Sequence, residues 1–93
     1  GVNIDCSTAQ VFTLIPDQNT ILNITNPRVG QTKIIVITGS GLSVGISWTV
    51  SGAAGTFNLV AGAYDDTTST KNFIQMSCVT PTEFWYTISQ IAS

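Results

Sequence analysis

Short apolar runs recur along this chain at regular intervals, and turn-forming residues separate them. The intervals are roughly 8–12 residues, which is the spacing found in β-sandwiches and barrels. Ile, Val and Thr have branched side chains that favour pleated strands, and together they make up 33 of the 93 residues. The pattern predicts an all-β chain, and its length fits a single domain over residues 1–93.

About eight strands are predicted, the number in a jelly roll. We expect them to form an antiparallel, jelly-roll-like β-sandwich. They are placed near Val2–Asp5, Gln10–Ile15, Thr20–Thr25, Thr32–Thr38, Gly45–Ser51, Thr56–Val60, Lys71–Val79 and Glu83–Ser89.

Charged side chains are scarce, at 9% of the chain, whereas a free small domain carries about a quarter on its surface. The run Ile34–Ile37 is apolar on both strand faces, and Phe73–Val79 is nearly so. Such strands are either central and covered twice, or pressed against another subunit. Both interpretations are open. For the second, we expect the subunit contact to involve Ile35, Ile37, Phe73 and Trp85.

The composition argues against several classes of function. Three basic residues are too few to cover a phosphate backbone or an anionic membrane surface. The chain has no histidine, so no Ser-His or Cys-His catalytic pair exists in it. Of its five carboxylates, Asp5 and Glu83 have apolar neighbours that could raise a pKa. We expect no enzyme activity, no cofactor and no metal site.

One loop combines an aromatic residue with acidic ones. Asp65 and Asp66 precede a run of hydroxyl residues, but the acidic spacing of a calcium loop is absent, so a solvated turn is the favoured interpretation. With Tyr64 beside them, they are the residues that would face a sugar ligand. The sequence Asn23-Ile24-Thr25 fits an N-glycosylation acceptor, and we interpret it as a chance match inside a strand.

The two cysteines, Cys6 and Cys78, leave two interpretations open. A bond between them would close most of the chain in one loop and stabilise it. Alternatively they are reduced and buried as small apolar side chains, which we favour because nothing in the chain indicates secretion.

Several motifs follow one another in a distinctive order from Thr20 to Ser89. The corner Asn26-Pro27, followed by Gly30, leads into an apolar strand, then a strand carrying Trp48. A long loop and an aromatic closing strand follow, here Phe84-Trp85-Tyr86. This order resembles a module of tailed-phage virion proteins. The final turn, Thr80–Glu83, departs from the Asp-Gly type usual in that module.

The resemblance implies a jelly-roll-like β-sandwich that assembles as a trimer. It further implies a tail fibre, a tail spike or a capsid-decorating protein located in the virion, with other virion proteins as partners. Two alternatives remain: a module that binds a host-surface glycan or receptor, and a secreted Ig-like adhesion domain with a disulfide between its sheets.

Overall fold

The computed structural model describes residues 1–91, and those residues form eight β-strands with no helix. The strands are β1 (Val2–Asp5), β2 (Val11–Leu14), β3 (Thr20–Thr25), β4 (Thr32–Thr38), β5 (Ile46–Val50), β6 (Thr56–Ala61), β7 (Lys71–Thr80) and β8 (Glu83–Ile91). All eight predicted strands are confirmed, with small differences at their ends. Ala92 and Ser93, the end of the predicted 1–93 domain, lie outside the described residues.

The strands form two sheets that share one core. Sheet A has the order β1-β3-β5, and sheet B has the order β2-β4-β7-β8-β6. The chain alternates between the sheets from β1 to β6, so strands that are neighbours in sequence lie in different sheets. Trp48 of sheet A packs on Phe57 and Tyr86 of sheet B, with ring centroids 5.9 and 5.3 Å apart.

This alternation makes half of the strand pairs parallel. A chain that crosses to the other sheet and then returns runs in its original direction again, so β1–β3, β3–β5 and β2–β4 pair parallel. The strands β6 and β8, which are separated in sequence by β7 of the same sheet, also pair parallel. The pairs β4–β7 and β7–β8 are antiparallel. The expected antiparallel arrangement therefore applies to the centre of sheet B alone, and it is wrong for sheet A.

Alternate residues of each strand fill the core. The largest wholly buried side chains include Leu22 and Ile24 from sheet A and Ile35, Ile37 and Ile74 from sheet B, with 0–2% of each exposed. Ile35 lies opposite Ile74, and Ile74 lies opposite Ile88, so one apolar row crosses the middle of sheet B. This row holds sheet B against the inner residues of sheet A through burial of apolar surface.

Gly62, which follows β6, is required by the close approach of the chain to β8. Its φ is +89°, a conformation that residues with a side chain rarely adopt. A Cβ at this position would overlap the carbonyl oxygen of Ile88. The glycine therefore allows the chain to leave the edge of sheet B and enter the long loop that precedes β7.

Candidate functional site

The outer surface of sheet B is a broad face with little charge, which we call the outer B face. Its rows follow from the register: Val36–Phe73–Ser89, Val11–Ile34–Gln75–Thr87, and Thr32–Ser77–Trp85–Asn58. In the described part of these strands, its charged residues are Lys71 at the start of β7 and Glu83 at the start of β8, at opposite ends of this antiparallel pair. Apolar, hydroxyl and amide groups cover the area between them.

Trp85 is the most prominent side chain of the outer B face, with 49% of it exposed. Its indole Nε1 donates a hydrogen bond to Glu83 Oε2 at 2.9 Å, which fixes the ring over small cross-strand neighbours, Ser77 and Asn58. Beside the ring lies a shallow depression of about 320 Å³, bordered by Val60 and Val79 among others. A ring standing next to a depression of this kind offers the shape complementarity that protein contacts use.

The four residues predicted for a subunit contact divide into two groups. Phe73 and Trp85 lie on the outer B face, as that contact requires. Ile35 and Ile37 are 0% exposed and point into the core, so they have no surface to offer a second subunit. Because successive side chains of a strand alternate between faces, their neighbours Ile34 and Val36 take the outer positions in β4. Within β4 the predicted contact is therefore corrected to these two residues.

The outer surface of sheet A has a different character, because its polar side chains bond to one another. Asn23 Nδ2 donates to Asn3 Oδ1 at 3.2 Å, and Asn23 Oδ1 accepts from Thr49 Oγ1 and from the backbone N–H of Gly52, both at 2.8 Å. Asn23 thus holds three parts of the chain together. These contacts occupy the amide of the glycosylation pattern, in agreement with its interpretation as a chance match.

Asp66, one of the predicted ligand-facing residues, joins two loops. Its carboxylate accepts hydrogen bonds from Tyr64 Oη at 2.7 Å, from the N–H and hydroxyl of Ser40, and from the N–H of Val44. Partial desolvation raises the pKa of Asp66, but these hydrogen bonds outweigh it and hold the pKa at about 2. For Tyr64, burial and the hydrogen bond to Asp66 raise the pKa above its ordinary value.

The polar groups of Asp65 are likewise hydrogen-bonded to neighbouring residues of the chain. The Asp65 side chain accepts from the N–H of Thr67 at 2.9 Å, which lowers the pKa of Asp65. Its backbone N–H donates to Asn72 Oδ1, and its carbonyl accepts from Asn72 Nδ2. Asn72 is 0% exposed and also bonds Ile37 O and Gln90 Nε2, so all four bonding positions of its amide are used.

The three predicted ligand-facing residues Tyr64, Asp65 and Asp66 are thus brought together, and their polar groups fasten the loop to the sandwich. The part of the chain that the structure describes contains no group of three or more His, Cys, Asp or Glu residues placed to hold a metal ion. Nor does it contain a helix with the length and hydropathy of a membrane span.

The remaining predicted groups lie near the opposite end of the sandwich. Cys6 and Cys78 are both buried and free, and burial raises the pKa of each thiol. Hydrogen bonds from Asn26 and Ser7 lower the pKa of Asp5. The expectation that apolar neighbours would raise this pKa is therefore wrong, since the polar donors act more strongly than burial.

Comparison with known proteins adds no relative. No protein-family model, no curated protein and no solved structure matches the chain.

Proposed function

We propose that this chain is a non-enzymatic structural protein that assembles as a homotrimer through its outer B face. The observation that carries the proposal is the contrast between the two outer surfaces. On sheet A, polar side chains bond to one another beside the exposed Ile21. On sheet B, the outer positions of Ile34, Val36 and Phe73 are apolar and partly exposed, and Trp85 is 49% exposed in the row that contains Ser77. Exposed apolar areas of this kind mark sites of protein contact.

The outer B face alone is smaller than a stable protein interface, so the proposed contact also includes an edge of the sandwich. Five strands spaced about 4.8 Å apart, each about six residues long, cover about 500 Å², while a stable interface needs about 800 Å² per partner. The uncharged edge strand β6 is one of these five. Val60 (62% exposed) borders the outer B face, and Leu59 (44% exposed) adds apolar surface at the edge. A cyclic trimer joins two different patches of neighbouring subunits, and the outer B face and the β6 edge are two such patches.

The virion is the proposed location, in a tail fibre, a tail spike or a capsid-decorating protein that contacts other virion proteins. This part of the proposal comes from the order of motifs between Thr20 and Ser89, including the Asn26-Pro27 corner and the closing strand with Trp85. Because most strand pairs are parallel, we do not propose jelly-roll connectivity for this chain. A role in assembly is consistent with a chain that lacks histidine and has few charges.

The two alternatives receive less support. A glycan-binding role at Tyr64, Asp65 and Asp66 conflicts with the use of their polar groups inside the loop. An Ig-like adhesion domain has antiparallel sheets and an inter-sheet disulfide, whereas sheet A is parallel and Cys6 and Cys78 are free.

The proposal is tested by the mass of the protein in solution, measured by light scattering during size-exclusion chromatography at several concentrations. One chain has a mass of 9.8 kDa, so three chains give 29.4 kDa. We expect the trimer mass to persist on dilution into the low micromolar range. A mass of 9.8 kDa at every concentration up to about 1 mM, where even a weak contact of about 4 kcal/mol would be half populated, contradicts the proposal.

A further inference from the structure

A polar cleft of about 350 Å³ opens near the end of the sandwich where β4 begins. The segment after β1 and the start of β4 contribute to it, and the residues that matter here are Ser7, Thr8, Gln10, Arg28, Gln31 and Lys33. Its volume lies in the range of sites for small molecules, about 300–1,000 Å³. The loop that carries Tyr64, Asp65 and Asp66, which we call the Tyr64 loop, does not line this cleft, because the loop bonds to the other end of β4.

The cleft concentrates positive charge in a chain whose net charge is −2. Two of the three basic residues of the sequence, Arg28 and Lys33, line it, and none of the described residues that line it is acidic. Lys33 is 7% exposed, and its Nζ donates to two neutral acceptors, Ala9 O at 2.8 Å and Gln10 Oε1 at 3.0 Å. An ammonium group carries three hydrogens, and a buried cation without an anionic partner is unfavourable. An anion in the cleft would supply that partner.

The cleft also offers acceptors for hydroxyl groups. The hydroxyls of Ser7 and Thr8 donate to the carboxylate and the carbonyl of Asp5, so their lone pairs are available to a ligand. No aromatic side chain is among the residues that line the cleft, so the stacking surface on which a neutral sugar would rest is absent.

We propose that this cleft binds a carboxylate-bearing sugar unit, of the hexuronic acid class. Lys33 and Arg28 contact its carboxylate, and its hydroxyls donate to the hydroxyls of Ser7 and Thr8. Charge-assisted hydrogen bonds are the strong ones, so the carboxylate supplies most of the affinity and the hydroxyls supply selectivity. The proposal is independent of the assembly through the outer B face, because it uses different residues.

The test is a titration of the full chain with sodium glucuronate at constant ionic strength, followed by NMR chemical shifts. We expect a saturable response with a Kd of about 1 mM, the affinity of a ligand with about a dozen heavy atoms. The shifts should include the backbone amides of Ser7 and Gln31. Glucose, which has the hydroxyls without the carboxylate, should bind at least tenfold more weakly. Inorganic sulfate, which has the charge without the sugar, should also bind at least tenfold more weakly.

Variants of the three basic residues separate this site from unspecific attraction. Arg28 is exposed, so Arg28→Ala is expected to fold normally and to raise the Kd for glucuronate about tenfold. Lys33→Met should abolish binding, and if that variant does not fold, Arg28→Ala still decides. Lys71→Ala, the matched control on the outer B face, should leave the Kd unchanged. Any one of three results would overturn the proposal. The first is equal weakening of glucuronate binding by Arg28→Ala and Lys71→Ala, and the second is sulfate binding as tightly as glucuronate. The third is no saturation by 50 mM glucuronate, about fifty times the expected Kd.

Discussion

Replacing Trp85 with alanine should weaken the proposed assembly of a subunit that still folds. In the isolated chain 49% of the side chain is exposed, and its polar contact is the exposed hydrogen bond from Nε1 to Glu83 Oε2. The half that is buried within the subunit, about 120 Å², sets an upper limit of about 3 kcal/mol on the loss of unfolding free energy, so the fold of the variant is checked by circular dichroism. If a neighbouring subunit covers the exposed half of the ring, removing the ring makes the free energy of association less favourable.

The size of this effect follows from the exposed area of the ring. A side chain of this type presents up to about 250 Å², so half of it is about 120 Å², or about 3 kcal/mol per contact at about 25 cal/mol per Å². Three contacts in a ring amount to about 9 kcal/mol, which moves the midpoint concentration of trimer dissociation by roughly a thousandfold. Area overstates affinity, so we set the minimum expected rise at about tenfold.

Sedimentation equilibrium of wild-type chain, Trp85→Ala and Ile21→Ala measures this midpoint. Ile21 is the matched control, because it is 50% exposed and lies on the outer surface of sheet A. We expect the midpoint concentration to rise for Trp85→Ala and to stay unchanged for Ile21→Ala. The reasoning is refuted if Trp85→Ala associates as tightly as wild type, or if Ile21→Ala is the variant that dissociates.

Three further predictions concern the subunit itself. Asn72→Ala should lower the free energy of unfolding, measured in urea, by about 3 kcal/mol or more. The reason is that it removes a buried amide that bonds Ile37, Asp65 and Gln90. A loss below about 1 kcal/mol would contradict the stabilising role of this amide. The folded-state pKa of Asp66 is about 2 against an ordinary 3.8, so its stabilisation is complete above about pH 5 and is lost as the pH falls through 2. Urea midpoints measured across this pH window should fall less steeply in Asp66→Asn than in wild type, and equal slopes would show that the carboxylate plays no such part. Cys6 and Cys78 should both react with a thiol reagent after denaturation and hardly at all before it. The absence of any reactive thiol in the denatured, unreduced protein would instead indicate a bond between them.

The positions of the strands could be predicted from the sequence, because alternation of apolar and polar residues is a local property. The run Phe84–Ser89 shows this most clearly: Phe84 and Ile88 are buried, and Trp85 and Ser89 face solvent. Turn residues such as Pro81 then limit where each strand ends. These signals act over a few residues and require no knowledge of the partner strand.

The face that β4 turns toward the core could not be predicted in the same way. Ile34–Ile37 is apolar at every position, so alternation alone does not distinguish its two faces. Lys33 shares a face with Ile35 and Ile37, and a charged residue ordinarily marks the solvent side. Here Lys33 is buried, because Ala9 and Gln10 from a distant part of the chain accept its hydrogen bonds.

Sheet topology and the role of the Tyr64 loop depend on contacts between residues far apart in sequence. Parallel pairing in sheet A results from the repeated crossing of the chain between the sheets, and no local motif encodes those crossings. Likewise, besides the nearby Tyr64, the donors to Asp66 are Ser40 and Val44, more than twenty residues away. The sequence therefore indicated a group of polar residues without showing that they bind one another.

The central claim, that a neighbouring subunit covers the outer B face, is tested most directly by the solvent exposure of Trp85 in the assembled protein. A Trp48→Phe variant keeps Trp85 as its single tryptophan and retains an aromatic ring against Phe57 and Tyr86. Acrylamide quenching of its fluorescence is compared above and below the concentration at which the mass changes. We predict that quenching falls severalfold in the assembled form and that the emission shifts to shorter wavelength. Equal quenching in an assembly and in a monomer, or a chain that never assembles, would contradict the account.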